Sequence, residues 1–173
     1  LSSQNININE IIKIANGESF QQWTRQTRLF ARYFLAHVRL PLDLPFSLLD
    51  VGCGNGAALS EIYAKNKCGE LYGCDIDPQH IALAQYINPE IPRERFYVSG
   101  LDDIKNSYDF IYASNVLEHI VNWKECLAQL CTKANAVIVM VPYKEDLLEQ
   151  TPSAVPYVDH VDSFDRKSLD YLM

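Results

Sequence analysis

The sequence predicts an α/β domain built on a doubly wound, mainly parallel sheet with helices on both faces. Short apolar runs of β character alternate with stretches of helical period from Ser47 onward, the pattern of strands joined by crossover helices. A glycine-punctuated turn, LLDVGCGNG from Leu48 to Gly56, joins the first such run to the first following helix. A second apolar run, LYGCDID, closes on the carboxylate Asp75, nineteen residues after Gly56.

Two helices precede the sheet. The first spans about Asn7 to Ala15 and is ended by Gly17; the second runs from Phe20 to Val38 with Trp23, Phe30, Phe34 and Val38 along one side, a stripe expected to pack into the core. The proline-punctuated LPLDLP, Leu40 to Pro45, is a short connector. Then follow strand Ser47–Val51, helix Ala57–Ala64, strand Glu70–Cys74, helix Pro78–Tyr86, strand Arg95–Val98, strand Tyr108–Ala113, helix Val116–Leu130 and strand Ala136–Val141. Asp77 before Pro78 is a good helix start, an acceptor at the cap followed by a residue that needs no donor. A further helix is expected to begin near Phe164.

With 173 residues and 48% hydrophobic content, the chain is expected to form one domain around one core. Residues 1–39 form a helical cap, 46–142 the ligand-binding core, and 143–173 a lid with the start of the last helix. The net charge of −7 argues against a nucleic-acid partner. No apolar run approaches the length of a membrane span, and the amino-terminal residues lack the pattern of a secretory signal, so a cytoplasmic location is expected. The five cysteines, Cys53, Cys68, Cys74, Cys126 and Cys131, show no CxxC spacing and are expected to be reduced and buried.

In a doubly wound sheet, ligands bind beyond the carboxyl ends of the strands where the strand order reverses. Gly52, Gly54 and Gly56 fall at that point and permit a sharp turn with backbone open to a ligand. Asp75, at the tip of the neighbouring strand, is placed to accept the hydroxyls of a ribose, which points to a nucleoside-containing cofactor. Gly52, Gly54 and Ala57 also satisfy a dinucleotide fingerprint, GxGxxA. Asp50 discriminates: it would repel a pyrophosphate but suits a ligand carrying an ammonium and a sulfonium.

The segments LLDVGCGNG, LYGCDID, YDFIYASNVLEHI and AVIVMVP, in this order and spacing, resemble the class I S-adenosylmethionine-dependent methyltransferases. The resemblance covers about Leu48 to Pro142 and implies a Rossmann-like fold with S-adenosyl-L-methionine as cofactor. It implies that Gly52 and Gly54 approach the methionine part and Asp75 the ribose, while Ser99 to Asp103 border the adenine. Where many relatives carry an acid after the third strand, this chain has Gly100, and Asp102 is the substitute acceptor. Ile76, Leu101 and Asn115 complete the implied cofactor contacts. Of Arg25, Arg28 and Arg32, one could pair with the methionine carboxylate, although solvated positions or ordinary salt bridges account for each singly.

The acceptor side is expected after the fourth strand. In SNVLEHI, Asn115, Glu118 and His119 stand at i, i+3 and i+4, one face of a first helical turn. His160 lies in YVDHVDSF after the fifth strand. This arrangement resembles that of the ubiquinone-pathway O-methyltransferases and the small-RNA terminal ribose methyltransferases, in which two glutamates and two histidines bind a divalent cation. Glu118, His119 and His160 would then be metal ligands for an ion such as magnesium, but Asn115 replaces the first glutamate and removes one negative charge. The favoured arrangement is metal-free, with His119 or His160 as general base.

The expected activity is methylation of an oxygen on a small molecule, such as a phenol, quinone precursor or sugar. The alternatives are a nucleotide-dependent oxidoreductase and a non-catalytic cofactor-binding partner subunit. The resemblance also implies a final antiparallel strand pair after the helix near Phe164. The chain ends at Met173, before those strands: either the sequence is a fragment of a longer protein, or the sheet is shortened and leaves an edge strand that must be covered or paired, as a homodimer could do.

Overall fold

A computed structural model of the chain describes residues 7–41, 44–66, 69–142, 164, 165 and 167. Helices α1 (Ile8–Ala15) and α2 (Glu18–His37) lead into strand β1 (Phe46–Val51). Then come α3 (Ala57–Lys65), β2 (Gly69–Asp75), α4 (Pro78–Ile87), β3 (Phe96–Val98), β4 (Tyr108–Ser114), α5 (Trp123–Cys131) and β5 (Ala134–Met140). All four strand pairings are parallel, in the order β3-β2-β1-β4-β5. The order reverses beside β1, so the carboxyl ends of β1 and β4 flank the crevice where such sheets take ligands.

Alternating residues of the central strand divide the core. Leu48 packs with Leu71, Tyr112, Ala31 and Phe34 of α2, Leu59 and Ile62 of α3, and Ile81 and Ala84 of α4. Its neighbour Leu49 packs instead with Val51, Ile111, Ile104 and Leu130 of α5. A strand buried on both faces needs this near-continuous apolar run, and each fully buried leucine contributes about 1.5–3 kcal/mol relative to exposure. The expected helices on both faces are therefore present, with α2, α3 and α4 on one side and α5 on the other.

Local chemistry sets the element ends. Asn7 caps α1, its side chain accepting from the amide of Asn9 at 3.0 Å. Gly17 does not simply end α1; it is the N-cap of α2, so the two helices share almost no connector. Asp77 accepts from the Gln79 amide at 2.8 Å and Pro78 fills the first helical position, as its sequence implies.

Two expectations are corrected. The helix expected over Val116–Leu130 is broken: Leu117–His119 form a single 3-10 turn, and α5 begins only at Trp123. The break follows from Asn115, which adopts a left-handed backbone (φ 55°), and Val116, at φ −128°, neither of which can start an α-helix. Cys131 is exposed, whereas Cys53, Cys74 and Cys126 are buried and unbridged as expected; Cys68 lies outside the described residues. Among the described residues, no helix is long and apolar enough to cross a membrane.

Candidate functional site

Gly52, Gly54 and Gly56 have φ of 65°, 52° and 71°. This is the left-handed region, which costs L side chains roughly 1–2 kcal/mol per residue. The loop therefore needs glycine for its backbone, and packing adds a second reason. A Cβ on Gly52 would stand 2.7 Å from Val116 Cγ2, one on Gly54 2.6 Å from Trp23 Cζ2, and one on Gly56 2.7 Å from Asn88 Nδ2. The Cβ directions of all three thus point at the protein's own side chains, so the space these glycines free is filled from within.

Other side chains brace the turn. The Asn55 amide group donates to Thr24 Oγ1 of α2 at 2.8 Å, and its carbonyl oxygen accepts from the Ala57 amide. Asn88, at the end of α4, donates to the backbone carbonyls of Asn55 and Ala84, both at 2.8 Å. Cys53 donates its amide to the Cys74 carbonyl at 2.9 Å, joining the loop to β2.

Two carboxylates stand at the strand tips. Asp75 accepts from the Gly54 amide at Oδ2 and from the Asp77 amide at Oδ1, both at 2.9 Å, and His80 Nδ1 lies 3.3 Å from Oδ1. Burial opposes its charge, but His80 and these amides prevail and hold its carboxyl below the usual carboxylate range. Asp50 is 3% exposed, and no hydrogen bond to its side chain is found among the described residues. Burial first, and then the charge of Asp75, push its carboxyl well above the ordinary value. A buried acid beside another acid is the electrostatic complement of a cation, so Asp50 fits a sulfonium- or ammonium-bearing ligand and disfavours a pyrophosphate.

The expected adenine border is also at this edge. Ile76, directly after Asp75, is a large apolar side chain left 78% exposed. Its Cγ2 lies 3.9 Å from where a Gly100 Cβ would stand. Val98, paired in register with Asp75, is exposed beside it, and Leu101 and the exposed Asp102 follow on the 3-10 turn Leu101–Asp103. An aromatic base is the kind of ligand that an apolar ledge of Ile76 and Leu101 at a strand end accepts.

The acceptor-side residues are brought together only in part. Asn115 is exposed at the end of β4, its amide donating to the Met140 carbonyl at 2.8 Å. Glu118 is fully buried and His119 is exposed, so the three do not share one helical face as the spacing implied. The reason is the broken helix, whose single 3-10 turn separates these side chains. His160 lies outside the described residues. Among the described residues, no group of three or more His, Cys, Asp or Glu side chains is placed to hold a metal ion.

Two further residues stand at the site. Trp23 is half-buried against Gly54 rather than simply in the core, and its ring centroid lies 5.2 Å from that of His80. His80 was missed altogether, although its place in the first turn after the Asp77 cap puts it within reach of the β2 tip. Of the arginines, Arg32 pairs with Glu61 at 2.8 Å, and Arg25 and Arg28 are exposed.

A doubly wound parallel sheet with a left-handed glycine turn and an acid at each adjacent strand tip defines a Rossmann-like α/β protein. Residues 20–173 match the methyltransferase domain family, and the chain belongs to that family. No curated protein sequence matches the chain. Among solved structures it is similar to magnesium protoporphyrin IX methyltransferase from Synechocystis PCC 6803 with bound SAH, at 17% identity and a TM-score of 0.57, covering 84% of this chain and 64% of that one. It is similar to coclaurine N-methyltransferase bound to N-methylheliamine and SAH at 16% identity and a TM-score of 0.59, over 78% and 44% of the two chains. The plantazolicin methyltransferase with a monoazolic desmethyl analogue and SAH gives 22% identity and a TM-score of 0.51, over 76% and 51%. This chain therefore spans between 44% and 64% of the length of these structures.

Proposed function

We propose that the chain binds S-adenosyl-L-methionine and transfers its methyl group to an oxygen of a small-molecule acceptor. The observation that carries this reading is the buried, cation-seeking Asp50 set between the left-handed glycine turn and Asp75. Family membership supports it, as do the SAH-bound methyltransferases that share the fold. The donor is a substrate that brings a methyl carbon activated by a positive sulfur. Asp50 would neutralise the cationic methionine end, Gly52, Gly54 and Gly56 would line it, and Asp75 would accept from the ribose. Ile76, Leu101 and Asp102 would border the base, with Asn115 at the methyl end.

The acceptor oxygen forms a bond to the methyl carbon in line as the carbon–sulfur bond breaks and its electron pair returns to sulfur. Positioning supplies much of the rate in such a displacement. The hydroxyl proton passes to an imidazole nitrogen of His119 or His160, the general base of the reaction. The order Asn115, Glu118, His119 and His160 resembles the ubiquinone-pathway O-methyltransferase pattern and supports oxygen as the acceptor atom. In the division proposed here, helices α1 and α2 of the amino-terminal cap cover the donor; the expected lid and last helix, 143–173, lie outside the described residues except for 164, 165 and 167.

Calorimetry with S-adenosylmethionine and then NAD tests the donor assignment. Binding of the first in the micromolar range with no heat from NAD is expected; the reverse would make the chain a nucleotide-dependent oxidoreductase. Substitution of His119 and His160 by alanine, one at a time, should lower turnover of a phenolic acceptor, and full activity in both variants would remove them as bases.

A further inference from the structure

The Asp75 carboxylate has more claimants than a donor-binding acid can serve at once. A carboxylate offers about four lone-pair sites on two oxygens. The Gly54 amide takes one on Oδ2 and the Asp77 amide one on Oδ1. Both amides belong to backbone fixed by the glycine turn and the α4 cap, so neither is free to leave. His80 Nδ1 closes on Oδ1 at 3.3 Å without forming an aligned hydrogen bond. A ribose diol donates two hydrogen bonds, and with the imidazole in place only one site remains for them.

We propose that His80 is a positioning residue that occupies the place of one ribose hydroxyl on Asp75 and must withdraw when the donor binds. The proposal rests on the donor assignment above. Its geometry makes His80 displaceable. The contact is long, the side chain is about one-third exposed, and the ring leans on Trp23 of α2, an uncharged neighbour that gives it a second resting surface. The charged groups facing it are Asp75 from the tip of β2 and Asp77 from its own helix cap, whose Oδ2 lies 3.9 Å from Nε2.

The arrangement carries a pH signature. Contact with Asp75 raises the His80 pKa above its ordinary value despite the opposing effect of burial. The protonated ring is thus held on Asp75 below that raised pKa and the neutral ring is released above it. Donor affinity should therefore rise with pH through the His80 titration, and donor binding should lower the pKa of His80. Linkage sets the size: each pH unit below the free-protein pKa weakens binding by up to about tenfold, until the pKa in the complex is reached.

The test measures the dissociation constant of S-adenosylmethionine by calorimetry between pH 5.5 and 8 for the full chain, His80→Gln and His80→Ala. In the native protein affinity should increase several-fold across that range. In both variants the slope should fall by the His80 component, leaving only what ionisation of the Asp50 carboxyl contributes, with the alanine variant tightest at low pH because Asp75 is fully open to the ribose. Histidine NMR on the native protein supplies a second readout, a downward move of the His80 titration on adding donor. An unchanged slope in both variants, or a His80 titration that moves upward, overturns the proposal. Absence of binding at every pH in the native protein would instead overturn the donor assignment on which it stands.

Discussion

Gly54 gives its amide to Asp75 across the tips of β1 and β2 at 2.9 Å. The same glycine carries the Trp23 indole on its other side. One residue without a side chain thereby ties together the strand that begins the sheet, the acid expected to hold the ribose, and the helix laid over both. The geometry makes each part of this tie separately testable.

Gly54→Ala should destabilise the fold by at least about 1–2 kcal/mol from the left-handed φ alone, since the methyl group also drives into the Trp23 ring. Urea unfolding measures the loss. Trp23→Ala/Gly54→Ala should then be less damaging than the sum of the two single changes, because the clash is absent in the pair.

Asp50→Asn should stabilise the unliganded protein at neutral pH. Burial and Asp75 raise the Asp50 pKa in the folded state, so its contribution is fully present below its unfolded value near 4 and is lost as pH rises through the folded value. Melting temperature against pH should accordingly be higher for the amide variant at pH 7–8 and converge with the native protein in acid. S-adenosylmethionine affinity should move the other way and fall at neutral pH, because the cation loses its counter-charge.

Asp75→Ala removes the acceptor of two backbone amides and should cost about 1–3 kcal/mol. The sign of its pH dependence is opposite to that of Asp50. Its lowered pKa stabilises the fold above the unfolded carboxylate value, and that stability disappears as pH falls through the folded value. Acid unfolding of the native protein should therefore lose a component that the alanine variant lacks.

Asn115→Gly relieves a left-handed backbone at the end of β4. A stability gain of up to about 1 kcal/mol is expected, tempered by the tolerance of asparagine for this region and the added freedom of the unfolded chain. Thermal denaturation checks the gain, and a fall in methyl transfer with unchanged donor affinity would place the side chain on the acceptor side.

The sheet was legible because its signal is local. Runs such as Ser47–Val51 and Tyr108–Ala113 are apolar on both faces, and the observed strands start or end within one or two residues of those readings. The glycine turn and Asp75 were equally legible, since three left-handed positions in so short a loop call for glycine at each of them. The acceptor side was not. SNVLEHI has a helical spacing of polar residues, but the positive φ of Asn115 is imposed by its place between β4 and the Met140 carbonyl, a tertiary cause with no trace in the spacing. Trp23 had a helix-face signal that identified burial but not its target. His80 escaped because the acid it touches belongs to a neighbouring strand end, brought close only by the turn at Asp77.

The three polar braces of the glycine loop, from Thr24, Asn55 and Asn88, have a kinetic corollary. They hold the loop in its finished shape before any ligand arrives, so little conformational entropy remains to be lost on association. Capture of a nucleoside here should need no rearrangement of the loop backbone, only the withdrawal of the His80 side chain, and residence time should be governed by the contacts made afterwards.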